Sequence, residues 1–150
     1  MTQDTRDIAD QLGLLLQRRI RRSLYAGVIN DVHEAVDEGA YLILSGVARF
    51  GPVSAAALGA EVGVDRALVS RRARTLTKAG LLLTQDDPGD RRVTLLALTE
   101  EGERVVQLLR SRLACLLDDR LRDWSATDVS QLRRLLTRLV TAIDDSDSLD

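Results

Sequence analysis

The chain has 150 residues, 45% of them hydrophobic, and a formal net charge of −2, enough to bury one core as a single domain over residues 1–150. Its one cysteine, Cys115, excludes an internal disulfide framework and a cysteine-based zinc site, and its one histidine, His33, excludes a multi-histidine metal site within one chain, so no metal or cofactor is expected. The apolar runs are too short to span a bilayer, and the polar start Met1-Thr2-Gln3-Asp4 lacks a signal-peptide pattern, so a cytoplasmic protein with no membrane partner is expected.

The first helix is expected from about Asp4 to Val28. Ile8, Leu12, Leu15, Leu16 and Ile20 recur there at helical spacing, beside a basic cluster of Arg18, Arg19, Arg21 and Arg22. Residues 31–36 form a connection. Asp37 then caps a helix through Tyr41, Leu44 and Val47, which Gly51-Pro52 terminates. Ser54 caps a short helix from Ala55 to Val62 that carries Leu58 inward, and Gly63 suits the left-handed conformation that ends a helix and starts a tight turn. Asp65 caps the next helix, Arg66 to Ala79, which Gly80 closes. Two short helices joined by a tight glycine turn, the second rich in arginine, make a helix-turn-helix pattern.

A β-hairpin is expected next, with Leu81–Leu83 and Val93–Leu98 flanking Asp87-Pro88-Gly89-Asp90. That tetrad reads as a type II turn, with proline presetting φ at its second position and glycine taking positive φ at its third. Arg91 and Arg92 fall at the tip. A hairpin ending in guanidinium groups suits a narrow, negatively charged target, for which the DNA minor groove is the candidate. Thr99 caps a long helix to about Asp123, with Glu100 and Glu101 well placed in its first turn. Ser125, with Asp128 three residues on, starts a last helix bearing Leu132, Leu135, Leu136, Leu139 and Ile143. Asp144 to Ser148 is expected to be disordered.

Charge is partitioned along the chain. Residues 54–99 hold seven basic groups against five acidic, a net of +2, while the remainder holds 14 against 18, a net of −4. Local field matters more for DNA affinity than the total. The expected fold class is mainly α with a small β-hairpin wing (α+β). A winged helix-turn-helix module at 51–99 lies between dimerisation helices at 4–36 and 100–143. The apolar stripes Leu113-Leu116-Leu117-Leu121 and Leu132-Leu135-Leu139 need partners the central module cannot supply. A symmetric homodimer is the economical answer, with Leu12, Leu16, Leu117, Leu121, Trp124, Leu135 and Leu139 at its interface.

These motifs, in this order and spacing, resemble the MarR family of winged-helix transcription regulators over about residues 36–102; the flanking helices match in arrangement only. Tyr41-Leu42-Ile43-Leu44 leading to Gly51-Pro52 looks like the family's second helix, and Ser54 to Val62 like its first helix-turn-helix helix. Val64-Asp65-Arg66-Ala67-Leu68-Val69-Ser70-Arg71 is similar to the start of its recognition helix, and Leu76-Thr77-Lys78-Ala79-Gly80-Leu81 to that helix's exit. Asp87-Pro88-Gly89-Asp90-Arg91-Arg92 and Leu98-Thr99-Glu100-Glu101-Gly102 resemble its wing and the entry to its fifth helix. Two positions depart from the family pattern. Arg72 stands where the family usually has an apolar residue, and Thr75 where it often has an arginine near the DNA backbone.

Periodicity places Arg66, Ala67, Ser70, Arg71 and Arg74 on the outward face of the recognition helix, with Val69, Ala73 and Leu76 inward. Arg71 has the reach to pair bidentately with guanine O6 and N7, and Ser70 suits bases or phosphate; the plain alternative is a solvated charged face. The resemblance makes Arg92 the first choice for the minor groove, with Asp90 bracing its guanidinium and Arg91 on phosphate or sharing the groove. Lys78 and Ser54 are phosphate candidates, or else an ordinary surface residue and an ordinary cap. Cys115, amid Leu113, Ala114, Leu116 and Leu117, reads as a buried inert thiol rather than a redox sensor. His33 is expected in a loop. The resemblance also implies a small-molecule effector pocket, near which Tyr25, Tyr41, Phe50 and the Arg18–Arg22 cluster are candidates.

The reading is a homodimeric, sequence-specific regulator of transcription that binds double-stranded DNA at a palindromic operator. By family habit it is a ligand-responsive repressor. The alternative is a winged-helix protein-interaction module without DNA binding. Nothing in the sequence arranges an enzyme's nucleophile and base, paired carboxylates or metal ligands.

Overall fold

The computed structural model describes residues 2–147, with side chains as far as Asp144, and divides into two units, Met1–Ala114 and Cys115–Asp150. The first unit holds α1 (Gln3–Leu16), α2 (Arg18–Ile29), α3 (Glu38–Phe50), β1 (Val53–Ser54), α4 (Ala55–Val62), α5 (Arg66–Lys78), β2 (Leu82–Asp86), β3 (Thr94–Leu98) and most of α6 (Glu100–Arg120). The second holds the last turns of α6 and all of α7 (Ala126–Asp147). No helix among the described residues is long and apolar enough to cross a membrane.

Side-chain acceptors start the central helices where expected. Asp37 Oδ1 accepts the Ala40 N–H at 2.8 Å, Ser54 Oγ that of Ala57 at 3.1 Å, and Asp65 Oδ1 those of Ala67 and Leu68 at 2.8 and 3.3 Å. Thr99 Oγ1 accepts the Gly102 N–H at 2.9 Å to begin α6. Each satisfies N–H groups that a helix start would otherwise leave unpaired. Gly63 closes α4 at φ 65°, ψ 36°, the left-handed conformation expected of it. α5 begins three residues later.

The core lies within the first unit. α5 turns Val69, Ala73 and Leu76 inward against Ile43, Leu44 and Val47 of α3 and Leu58 of α4, all buried. Leu81, Leu82 and Leu96 add the sheet's contribution, and Val105, Val106 and Leu109 that of α6. Burying a side chain of this size stabilises the fold by about 1.5–3 kcal/mol. Gly102 is fixed by close approach: a Cβ there would lie 2.0 Å from the Leu81 carbonyl oxygen. The first turn of α6 thus rests directly on the backbone leaving α5.

The hairpin is present, its first strand running to Asp86 instead of Leu83 and its second starting at Thr94 instead of Val93, antiparallel from Leu82 opposite Leu98 to Asp86 opposite Thr94. Beyond the expected hairpin, β1 pairs with β3 (Val53 opposite Leu96, Ser54 opposite Leu95), so the sheet has three strands in the order β1-β3-β2. The tip is not a type II turn. The positive-φ glycines among the described residues are Gly51, Gly63 and Gly80, and Gly89 is not one of them. Two aspartates shape the loop instead. Asp87 Oδ1 accepts the Gly89 N–H at 2.7 Å, Asp90 Oδ1 accepts the Arg92 N–H at 3.0 Å, and the Val93 N–H reaches the Asp90 carbonyl at 2.9 Å. Side-chain acceptors two residues upstream replace the backbone geometry that Pro-Gly suggested.

The first helix is also two helices rather than one. Gln17 is extended at φ −60°, ψ 136°, ending α1 and preceding α2. α1 buries none of its residues, and Ile8, Leu14, Leu15 and Leu16 are exposed.

In the second unit, α6 ends at Arg120 rather than near Asp123, and residues 121–124 form a turn. Ser125 starts α7 as expected: its hydroxyl donates to Asp128 Oδ2 at 2.6 Å and accepts the Asp128 N–H at 3.1 Å. Arg122 pairs with Asp119 across the turn. α7 continues through Asp147, so Asp144 to Asp147 is helical and not disordered; Ser148 lies outside the described residues. Cys115 is exposed, contrary to expectation. Apolar neighbours along a helix do not bury a residue when that helix face packs against nothing in its own unit.

Candidate nucleic-acid interface

α5 and the sheet enclose an open cleft of about 720 Å³. Arg66, Ser70, Arg74, Thr77 and Lys78 line it from α5, Ser54 from the start of α4, and Thr84, Arg92 and Thr94 from the hairpin. Helical spacing explains the first set: positions 66, 70, 74 and 77/78 recur every three to four residues, on the side of α5 away from the buried Val69 and Leu76, with Ala73 at the cleft edge. Strand alternation explains the second. Thr84 lies directly opposite Leu96, and Thr94 lies two residues before Leu96 on the same strand, so all three project from one face of the sheet into the cleft. Four cationic side chains and no carboxylate line the cleft. A concave wall of this sign and with five hydroxyls (Ser54, Ser70, Thr77, Thr84, Thr94) suits a polyanion.

Of the residues singled out from sequence, Ser54, Arg66, Ser70, Arg74, Lys78 and Arg92 therefore meet in one place. Ala67 and Arg71 are exposed on α5 outside the cleft lining, as are Asp90 and Arg91 at the hairpin tip. Sequence reasoning missed Thr77, Thr84 and Thr94. The signal for Thr77 was its position three residues after Arg74, and for the strand threonines their place two residues from Leu82 and Leu96 on the same strand face. The bracing role expected of Asp90 changes: its carboxylate holds the backbone N–H of Arg92, not the guanidinium. It shapes the turn that presents Arg92, and the guanidinium itself lines the cleft.

Arg72 behaves differently from its neighbours on α5. Nη1 donates to Asp37 Oδ2 at 2.5 Å, turning this side chain away from the exposed arginines toward the start of α3. Burial pushes the Asp37 carboxyl up, but the Ala40 N–H and the Arg72 guanidinium outweigh it and hold the group below its ordinary value. Beside this pair, Arg22 of α2 reaches Glu38 at 3.6 Å.

Among the residues considered for an effector, Tyr25 and Tyr41 pack against each other with ring centroids 4.9 Å apart and planes tilted by 45°. Burial, then Tyr41, raises the Tyr25 phenol above its ordinary value, with Glu38 adding to this and Arg21 opposing it, so Tyr25 is protonated at neutral pH. Phe50 is not part of that pair; it lies exposed at the far end of α3 under the Arg49 guanidinium, 5.8 Å from the ring centroid. His33 is in the α2–α3 loop as expected, where Nδ1 accepts the Ala35 N–H at 3.0 Å. Of the residues expected at a dimer interface, Leu16, Leu117, Trp124 and Leu135 are exposed, and Leu12, Leu121 and Leu139 are half-buried.

Comparison with known proteins gives one consistent result. Residues 36–93 match the model of the MarR family. An uncharacterized HTH-type transcriptional regulator of Bacillus subtilis (strain 168), YxaD, is 26% identical over 126 residues, spanning 84% of this chain and 88% of that protein. The crystal structure of RV1404 from Mycobacterium tuberculosis superimposes with a TM-score of 0.76 at 25% identity, covering 95% of each chain. That of the PcaV transcriptional regulator from Streptomyces coelicolor, in complex with its natural ligand, does so at 0.59 and 28% identity, covering 84% of this chain and 89% of its own. YxaD and PcaV are both named as transcriptional regulators.

Proposed function

We propose that the chain, whose residues 36–93 match the MarR family, is a homodimeric, sequence-specific DNA-binding regulator of transcription, a ligand-responsive repressor at a palindromic operator. One observation carries the reading. Arg66, Arg74 and Lys78 of α5 and Arg92 of the wing converge on a single cleft with no carboxylate in its lining.

In this reading α5 enters the major groove, with Arg71 reading guanine O6 and N7 and Ser70 reading base or phosphate. Arg66, Arg74 and Lys78 meet phosphates along the groove, with Ala67 against base or sugar. Ser54 presents the N-terminus of α4 to a phosphate, where backbone N–H groups and the helix dipole favour negative charge. Arg92 enters the adjacent minor groove, and Arg91 meets its phosphates. A second copy joins through α1, α6 and α7, covering Leu12, Leu16, Leu117, Leu121, Trp124, Leu135 and Leu139. Two recognition helices then address major grooves about 34 Å apart, one helical turn. A small molecule that favours a different spacing of the two modules releases DNA through differential affinity; the Tyr25–Tyr41 pair is the candidate neighbourhood. A cytoplasmic location goes with this reading.

The test is selection from a random DNA library with the purified protein, followed by sequencing of the retained fragments. Enrichment of an inverted repeat with half-sites one turn apart is expected, and Arg92→Ala should weaken binding to the enriched fragment several-fold or more, by about 1 kcal/mol or above. Retention without sequence preference would reduce the function to phosphate-driven binding. No retention at low salt would sink the reading in favour of a protein-interaction module.

A further inference from the structure

Arg72 is on the recognition helix yet engaged inside the protein. Its Nη1 donates to Asp37 Oδ2 at 2.5 Å. The guanidinium also lies flat against Gly39: a Cβ built there would sit 3.1 Å from Cζ, Nε and Nη2 together. Three atoms at one distance describe a planar face resting on the residue. Any side chain at position 39 would crowd that face, as these distances are tighter than ordinary van der Waals contact. Asp37 and Gly39 therefore leave a gap shaped for one planar cation.

The gap is firmly placed. Asp37 Oδ1 accepts the Ala40 N–H at 2.8 Å, so the carboxylate that starts α3 with one oxygen receives α5 with the other. Next to it, Glu38 faces Arg22 of α2 at 3.6 Å. α5 is otherwise held from below by Val69, Ala73 and Leu76. An apolar stripe fixes depth well but is non-directional, and it resists a roll about the helix axis poorly. A charge-assisted hydrogen bond on the flank supplies the missing direction.

We propose that Asp37 and Gly39 form a seat for the Arg72 guanidinium that sets the rotation of the recognition helix, making Arg72 a positioning residue for base reading rather than a DNA contact. The inference rests on the DNA-binding reading above. Both side chains are partly exposed, 39% for Arg72 and 56% for Asp37, so the pair adds little to overall stability. Its effect is on where the tips of Arg66, Arg71 and Arg74 point.

The test uses the full-length protein and the DNA fragment enriched in the library selection. Asp37→Asn keeps an oxygen for the α3 cap and removes the charge. Arg72→Gln removes the guanidinium. Each single variant is expected to bind the fragment about three- to tenfold more weakly, the double variant no more weakly than either single, and thermal midpoints to stay close to wild type. Gly39→Ala is expected to fall in the same range. Discrimination against a fragment with one altered half-site base should drop in all three, a readout that a purely structural role would not move.

If Arg72 touches DNA instead, Asp37→Asn frees the guanidinium and leaves affinity unchanged or tighter, while Arg72→Gln weakens it. That pattern overturns the proposal. Should the wild-type protein bind no DNA at all, the functional reading fails, and hydrogen exchange decides the seat on its own. Equal loss of α5 amide protection in Asp37→Asn and Arg72→Gln supports it, and unchanged protection overturns it.

Discussion

The module from α3 to the first turns of α6 and the helices outside it, α1 and α7, use the same raw material in opposite ways. Both are amphipathic and leucine-rich. In the module every inward leucine or valine finds a partner from another element: Leu44 and Leu58 are fully buried and Leu76 is 1% exposed. In α1 and α7 no described residue is buried, and Leu16, Leu135 and Leu136 are 74%, 49% and 46% exposed. Helical periodicity marks a face that will be covered; it does not say by what. The module's faces are covered by its own chain, so its fold follows from the sequence within one molecule. The faces of α1 and α7 are complete only with something added, and a second copy is our proposal for it.

That contrast can be broken most forcefully in the core. Leu44→Ala should cost about 2–5 kcal/mol in denaturant unfolding, since it removes a fully buried side chain and leaves a cavity. Leu136→Ala on α7 should stay within about 0.5 kcal/mol at protein concentrations where the chain is a monomer. A larger cost that grows with concentration would show that another copy covers that face.

A charge on the α7 face sharpens the comparison from the other side. Leu135→Glu is expected to halve the mass seen by light scattering while far-ultraviolet circular dichroism keeps its helical signal, because the module folds without that surface. An unchanged mass would remove α7 from the proposed interface. The smallest effect concerns Asp37. Its carboxyl is held below the ordinary 3.8, so its contribution to stability is complete above that value and is lost as pH falls through the lower folded-state value. The difference in melting midpoint between wild type and Asp37→Asn should therefore shrink as pH drops below 4. A difference that is flat across that range would mean the carboxylate gains nothing from Ala40 and Arg72.

What could be read from the sequence follows the range of the interactions. Ser54, Asp65, Thr99 and Ser125 were legible as caps because the acceptor and its N–H partners lie two or three residues apart. The inward stripe of α5 was legible for the same reason, and with it Arg66, Ser70 and Arg74 on the opposite face. The break at Gln17 was not, since glutamine is a good helix former and no glycine or proline marks the site. At the wing tip two local rules competed: Pro88-Gly89 suggested a type II turn, but the side chains of Asp87 and Asp90 took the backbone N–H groups. β1, two residues long, carries no periodicity to detect. Arg72 was marked as out of place, yet its partner lies 35 residues away, and no spacing rule reaches that far.

The base of the hairpin is clamped, and this has a consequence for how its tip can change. Thr99 Oγ1 donates to the Gly80 carbonyl at 2.6 Å, the Thr99 N–H reaches the Leu81 carbonyl at 3.2 Å, and Leu82 pairs with Leu98. Residues gained or lost between Asp86 and Thr94 leave those ends where they are. Closing a longer flexible loop on a fixed base costs only about 0.6 kcal/mol per doubling of its length. Mutation can therefore lengthen, shorten or recharge the tip at almost no expense to the core, and the reach of the wing can drift while the body that carries it stays the same.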